Sequence, residues 1–466
     1  MSCKSCLAKQ LRIDELEAQV ARLQSQLRYQ KRTAAEGPFG SSTPSSKKPF
    51  KANSSEEEQK KRGGAKRGHP GHGRNAITTD DAEEIVDVDV SGVCPHCGTP
   101  MQDAGICCRS VIDAEEFRPR RIQYRLRRRR CPACKKVIRA PAPGVLPKNL
   151  YGNQLLSEVA VGHYLHGTPL GRLAAQLHLP LSGLIEAMHR LARLFANVPE
   201  HLKQEYRRSP VRHADETGWR NDGGSGYAWL FCTPKLSLYL FRKTRSSSVV
   251  QDVMGKKPLP GILVVDRYSA YNRVPCRLQY CYAHLLREVK NLEIEDPDDE
   301  EVWAFVSVMK PALSAACGLR GQGLSRPTFL RKASAVKAEI ISAVERPAMN
   351  PGIQHIQNIF RDHADRMYHW ATDPSIPAEN NLAERNLRPT VIARKASYGS
   401  QSDEGAQTRE ILMSVLHTLK QRVSDPRQHF KGVLDQLALQ PNKNPIPMLF
   451  ASDRSDGQDG DSHRRC

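Results

Sequence analysis

Three acidic residues stand where a phosphoryl-transfer site would need them. Asp215 closes the run Val211-Arg212-His213-Ala214, and Asp266 closes Gly261-Ile262-Leu263-Val264-Val265. An acid at the tip of an apolar strand is costly to bury alone. Two such acids at two strand ends suggest a shared cation. Mg²⁺ takes few protein carboxylates and leaves room for water and phosphate oxygens. Two such ions about 4 Å apart clamp the attacking and leaving oxygens of an in-line displacement. A third carboxylate completes the set, and the best candidate is Glu384 in Pro377-Ala378-Glu379-Asn380-Asn381-Leu382-Ala383-Glu384-Arg385-Asn386-Leu387-Arg388-Pro389. Pro377 is expected to open a helix on which Glu384 and Arg388 share a face at i, i+4. Glu379 precedes Glu384 by five residues, and spacing alone does not separate the two. Each acid taken singly is more often a cap or a surface carboxylate.

The joint case rests on the elements around the acids. Residues 205–290 alternate short β-type runs with one helical stretch. Val211 to Gly218 reads as a strand ending in acids. Tyr227 to Cys232 and Leu236 to Phe241, separated by Thr233-Pro234-Lys235, read as a hairpin. Ser246 to Met254 has helical spacing, Gly261 to Asp266 is a buried strand, and Leu278 to Cys281 is a strand running into a helix near Ala283. The predicted class is α/β, with acids on the first and fourth strands.

A second chemistry sits upstream. Cys94-Pro95-His96-Cys97 and Cys131-Pro132-Ala133-Cys134 are matched CxxC knuckles, which together supply the four soft ligands of one tetrahedral Zn²⁺. Between and beside them Arg118, Arg120, Arg121, Arg125, Arg127, Arg128, Arg129 and Arg130 put eight arginines into thirteen residues. So dense a run repels itself unless solvated or neutralised, and Arg pairs bidentately with phosphate. The module is expected to bind DNA. Thr168 to Asn197 reads as helix, turn, helix. Thr168 and Ser182 are the candidate caps, and Leu184, Ile185, Met188, Leu191 and Leu194 form the buried stripe of the second helix. A helix-turn-helix that presents His189, Arg190 and Arg193 to DNA and two helices of an ordinary bundle share this pattern. Ile13, Leu16, Val20, Leu23 and Leu27 repeat at spacings of 3 and 4, as in a coiled coil or a helix laid on its own protein.

The whole composition bounds these readings. The 466 residues carry 70 Lys and Arg against 50 Asp and Glu, a net charge of +20. Such an excess favours a polyanionic partner, because each neutralised phosphate releases counterions. No apolar run long enough to span a membrane and no signal-peptide pattern stands out, so a cytoplasmic, nucleoid-associated protein is expected. The 13 cysteines fit a reducing compartment. The expected organisation is an N-terminal heptad helix (1–30), a basic flexible linker (31–79) and a zinc-binding domain (80–145). A helical DNA-binding region (146–204), a catalytic domain (205–400), a C-terminal helical region (401–452) and a disordered tail (453–466) follow.

The chain resembles transposases of the insertion sequence 66 family. The matching residues are the heptad helix, Arg62-Gly63-Gly64 with His69-Pro70-Gly71-His72, the CPxC knuckles and His213-Ala214-Asp215-Glu216-Thr217. Further on they are Val264-Val265-Asp266 with Tyr268 and Tyr271-Asn272, Cys281-Tyr282-Ala283-His284, Asn380 to Arg385, Leu387-Arg388-Pro389 and Arg394-Lys395. The resemblance implies a ribonuclease H-like core, a DDE triad at Asp215, Asp266 and Glu384, and a helical insertion over about 285–375. It implies two Mg²⁺ at the triad, and DNA ends and target DNA as partners. Arg388 and Lys395 would neutralise phosphate near the site. A homodimer or larger synaptic assembly and accessory proteins of the same element are further expectations. Cys281 and His284 match a CxxH motif of related transposases and are expected to support the site structurally. Zinc there is disfavoured, since the sequence shows no partner ligands. The family's aromatic-rich strand after the Glu helix corresponds to Ala396-Ser397-Tyr398-Gly399-Ser400. Three rivals stand beside this reading: a non-catalytic DNA-binding protein, a resolving nuclease on the same core, and a recombinase using Tyr268 or Tyr271 as nucleophile.

Overall fold

The computed structural model describes Pro100, residues 118–130, Pro132, Cys134, residues 137–139 and residues 141–450, with scattered positions from Lys9 to Leu27. The linker, the tail, and the knuckle residues Cys94, Cys97 and Cys131 lie outside the described residues. The chain divides into two units, Pro49–Arg121 and the remainder. In the smaller unit Arg118, Arg120 and Arg121 are exposed. In the larger unit β1 (Arg128–Arg130) pairs antiparallel with β2 (Val137–Arg139). Cys134 and the arginines from Arg125 to Arg130 are exposed there. The described positions between Lys9 and Leu27 are helical, and Ile13, Leu16, Val20, Leu23 and Leu27 are all exposed.

Among the described residues from 141 on, four α-helices precede the sheet: α1 (Asn153–Ala160), followed by a π-helical turn at Val161–Leu165, α2 (Leu170–Gln176), α3 (Leu181–Leu194) and α4 (Val198–Arg208). The helix–turn–helix outline is present, but its caps differ from expectation. Helices α2 and α3 begin after Pro169 and Pro180, with no side-chain hydrogen bond at either N-cap. Proline presets φ and lacks an N–H, so these starts need no Thr168 or Ser182 hydroxyl. His178 takes the positive φ between the helices. Ile185 is exposed rather than buried, and Ala187 and Ala192 take places on the inner stripe instead.

The sheet has five strands: β3 (Val211–Asn221), β4 (Gly224–Thr233), β5 (Leu236–Arg242), β6 (Ile262–Val265) and β7 (Arg277–Tyr280). Their order is β5-β4-β3-β6-β7. β3, β4 and β5 form an antiparallel meander, while β6 and β7 run parallel to β3. Asp222 and Gly223 both take positive φ at the first turn, the backbone of a tight two-residue hairpin. α5 (Ser247–Met254), capped by Ser246, crosses from β5 to β6. Gly261 enters β6 at φ 82°, where a Cβ would strike the Pro210 carbonyl that accepts from Ile262 N–H at 2.8 Å. Continuous apolar runs in β4 and β5 follow from burial on both faces.

Four helices separate β7 from the Glu384 segment: α6 (Tyr282–Glu295), α7 (Glu300–Leu319), α8 (Arg326–Glu345) and α9 (Pro351–Asp362). By length and composition alone Glu300–Gln322 is long and apolar enough to cross a membrane, contrary to the sequence expectation. Its stripe of Val302, Phe305, Val306, Met309, Leu313 and Ala316 is buried, as a helix packed between α6 and α8 requires. α10 (Asn381–Ser397) carries Glu384, and α11 (Asp403–Arg422), α12 (Pro426–Leu439) and α13 (Ile446–Phe450) complete the chain. α11 shields the β5 edge. Thr418 Oγ1, Ser414 Oγ and Glu410 Oε2 accept from the N–H groups of Ser237, Tyr239 and Phe241 at 3.1, 2.9 and 3.1 Å. The early helices close on the late ones: Asn153 Nδ2 donates to Asp435 at 2.8 Å, and His189 meets Thr408 Oγ1 at 2.7 Å.

Two local expectations are corrected near α10. Pro377 does not open the helix, which starts at Asn381, because Ala378 O is taken by Tyr282 N–H at 2.8 Å and Asn380 is engaged with β3. The segment Ala396–Ser400 is not a strand. The helix runs to Ser397, Tyr398 turns left-handed, and Ser400 makes an isolated bridge to Asn221.

Candidate active site

The parallel register pairs His213 with Val264, so Asp215 continues β3 just where β6 ends and Asp266 begins its loop. Asp215 therefore sits inside the long strand rather than at its tip. Its partner strand is what stops, and that break exposes a notch. Asp215 is partly exposed at the notch and Asp266 is buried. Asp215 Oδ1 accepts from Glu216 N–H and Asp266 Oδ1 from Tyr268 N–H, both at 2.9 Å. α10 brings Glu384 to the same place.

Electrostatics report this convergence. The Asp215 carboxyl is pushed well above its usual range, first by desolvation and then by the charges of Glu216, Asp266 and Glu384. Asp266 is raised to about 7 by desolvation and by Glu216. Crowded carboxylates in a desolvated notch cannot all ionise cheaply. Glu379 is not among the charges that raise Asp215; desolvation raises it, and Arg385, Arg320, Glu384 and Cys317 lie around it.

Glu216 is the fourth acid of the cluster, and the sequence reading gave it no role. It is buried, accepts from Arg245 Nε and Nη2 at 3.0 and 2.6 Å, and accepts from Tyr271 O–H at 2.6 Å. The Arg245 guanidinium lies 3.9 Å from the centroid of the Tyr268 ring. Tyr268 O–H donates back to Arg245 O. The loop after β6 is thus braced onto β3 through Tyr268 and Tyr271. Both hydroxyls are committed to these bonds, and burial raises both phenols.

Asn380 is a second residue that sequence reasoning passed over. It stands at the N-terminus of α10. Its Oδ1 meets His213 Nδ1 at 2.9 Å, its Nδ2 donates to Ala214 O at 2.8 Å, and its N–H donates to Cys281 Sγ at 3.1 Å. One side chain and its amide therefore tie the Asp215 strand, the start of α6 and the Glu384 helix together. Farther along α10, Arg394 donates to Thr217 Oγ1 at 3.3 Å and to Gly218 O.

Cys281 and His284 reach the edge of the notch from the first turn of α6. Their ligand atoms and a Glu384 carboxylate oxygen lie within 4.8 Å of one another. His284 Nδ1 is 4.0 Å from Glu384 Oε1. The absence of partner ligands, inferred from sequence, is corrected by this convergence, since Glu384 comes from about a hundred residues away.

A family model described as Transposase IS66 family matches residues 148–408. The chain belongs to the IS66 transposase family. Among relatives, uncharacterized protein y4qI of Sinorhizobium fredii is 24% identical over 340 residues, covering 65% of this chain and 62% of its own length. Uncharacterized protein y4jD of the same organism is 22% identical over 225 residues, covering 45% of this chain and 43% of its own. The chain thus spans less than two thirds of the length of these relatives. The IS66 match takes in the helices α1 to α4, all five strands of the sheet, the helices α6 to α9 and α10.

The other candidate residues of this IS66 chain are distributed around the notch rather than in it. Arg388 and Lys395 are exposed on α10, on one face with Arg385 and Ile392. Arg190 pairs with Glu186 at 2.8 Å, and Arg193 with Glu404 at 3.2 Å, both at half-exposed positions.

Proposed function

We propose that this chain is a DNA transposase whose active site is Asp215, Asp266 and Glu384, carried on a ribonuclease H-like core. The observation behind the proposal is the convergence of three carboxylates from β3, the end of β6 and α10 in one notch, in a chain of the IS66 family. The strand order, with a three-stranded antiparallel meander followed by two parallel strands, supports the core assignment.

The donor set fits Mg²⁺. Carboxylates from β3, the end of β6 and α10 converge as hard oxygen donors, and crowding with desolvation raises Asp215 and Asp266. Bound Mg²⁺ would supply an activated water and charge neutralisation for phosphodiester hydrolysis and strand transfer. The chain's own residues do the rest. Tyr268 N–H and Glu216 N–H aim the two aspartates, and Asn380 holds α10 against β3. Glu216, neutralised by Arg245, keeps the loop after β6 from collapsing into the notch. Arg388 and Lys395 on the outer face of α10 attract the phosphates of double-stranded DNA.

Four cysteine thiolates at Cys94, Cys97, Cys131 and Cys134 suit one structural Zn²⁺. The exposed arginines of β1 form a basic strip that precedes Cys131 in sequence, in keeping with a grip on the element ends. Arg190 and Arg193 are further candidates for DNA contact, each already balanced by a glutamate. Synapsis of two ends calls for at least two copies, with accessory proteins of the same element as further partners.

The test uses purified chain, labelled element ends, target DNA and Mg²⁺. Cleavage and joining are expected, and Asp266→Asn abolishes both while retaining DNA binding. Binding without any cleavage would make the chain a non-catalytic DNA-binding protein. Cleavage without joining would make it a nuclease. Joining that survives the substitution would remove Asp266 from the site.

A further inference from the structure

The geometry points to a second metal site, formed by Cys281, His284 and Glu384 and suited to a thiophilic divalent cation of the Zn²⁺ class. It stands independently of whether the three acids cut DNA. Three facts carry it. First, three ligand types converge: one thiol sulfur, one imidazole nitrogen and one carboxylate oxygen, all within 4.8 Å of one another. Around tetrahedral Zn²⁺, with ligand bonds of about 2.0–2.3 Å, such atoms stand about 3.3–3.8 Å apart. Small rotamer adjustments of His284 and Glu384 close that difference. Second, Glu384 Oε1, the carboxylate oxygen 4.0 Å from His284 Nδ1, is buried and has no hydrogen-bond partner among the described residues. A buried carboxylate oxygen left in that state is costly unless something cationic meets it. Third, Cys281 Sγ accepts the Asn380 N–H at 3.1 Å, which fixes the sulfur at the start of α6, within reach of His284 and Glu384.

Hard Mg²⁺ discriminates against sulfur, so this site and the carboxylate notch select different ions. Glu384 joins them. With Oε1 given to the Cys281–His284 site, its second oxygen stays available to the notch. The thiophilic ion then acts as a positioning element: it fixes the Glu384 rotamer, a role hydrogen bonds alone leave unfilled. Three protein ligands also leave a fourth position open to water.

The test measures metal in the full chain. After dialysis against Zn²⁺, His284→Gln and Cys281→Ser are expected to hold one equivalent fewer per chain than wild type, with unchanged circular dichroism. Asp266→Asn should keep the full complement, which separates this site from the notch. A wild-type measurement guards against unfolding of the variants. ¹¹³Cd substitution should give a resonance characteristic of one sulfur with nitrogen and oxygen ligands, apart from any all-thiolate signal. Equal zinc content in folded His284→Gln and wild type would overturn the inference, as would the lack of a mixed-ligand cadmium resonance in wild type.

Discussion

At the scale of residues, the notch stores unfavourable charge. Asp266 has its pKa raised from 3.8 to about 7. Between these values the folded chain holds a proton that the unfolded chain has lost. Folding stability from this group therefore falls as pH rises from about 4 through about 7, and the full penalty persists above. A divalent cation offsets that penalty only where the acid is ionised. In differential scanning fluorimetry, Mg²⁺ should raise the Tm of wild type more at pH 8 than at pH 5.5. Asp266→Asn should melt higher than wild type at pH 8 without metal and respond less to Mg²⁺. A Mg²⁺ response independent of pH and unchanged in the variant would sink this account. The buried histidines have the opposite sign. Burial lowers His213 from 6.5 to about 4, against a hydrogen bond to Asn380 Oδ1 that raises it. The unfolded chain binds the proton first, so stability is full above about 6.5 and is lost as pH falls towards about 4. His417, lowered to about 4 by burial, adds to the same limb. His213→Gln should show a shallower acid-side fall in Tm. An unaltered acid limb would mean that His213 does not titrate with unfolding.

At the scale of elements, the site depends on how α10 docks. Asn380 ties it to β3 and to Cys281 through three bonds. Breaking buried hydrogen bonds of this kind costs about 1–3 kcal/mol each when partners are left unsatisfied. Asn380→Ala is expected to lower urea stability by about that amount and to reduce turnover while leaving DNA affinity near wild type. Chemical denaturation and a filter-binding assay read the two effects separately. Affinity lost in parallel with turnover would show that α10 docking shapes the DNA surface as much as the notch. The left-handed Tyr398 and Gly399 at the end of α10 serve the same docking. Ser400 N–H and O bond to Arg220 O and Asp222 N–H at 2.9 Å each, pinning the helix exit to the β3–β4 turn.

At the scale of the whole molecule, the helix bearing Ile13, Leu16, Val20, Leu23 and Leu27 leaves its apolar seam about half exposed. A second copy of the same helix would cover it at a/d spacing. Leu16→Glu with Leu23→Glu should shift the chain from dimer to monomer in sedimentation equilibrium. Paired-end joining should fall while single-end binding persists. A monomeric wild type would remove the seam as the basis of assembly.

The sequence by itself determined what local periodicity and covalent spacing can carry. It revealed the β4–β5 hairpin, the α5 crossover, β6 with its terminal acid, the helix outline of 168–197, and the three acids as a set. These follow from side-chain alternation, proline and glycine punctuation, and the cost of burying a lone charge. Only the tertiary structure decided what depends on strand register and helix docking. It set Asp215 inside a long strand opposite the end of a short one, and turned Glu384 rather than Glu379 towards the acids. It engaged Glu216 with Arg245 and Tyr271, and carried Glu384 to Cys281 and His284. In each case the partners are far apart in sequence, and their meeting depends on long-range packing that no local pattern encodes.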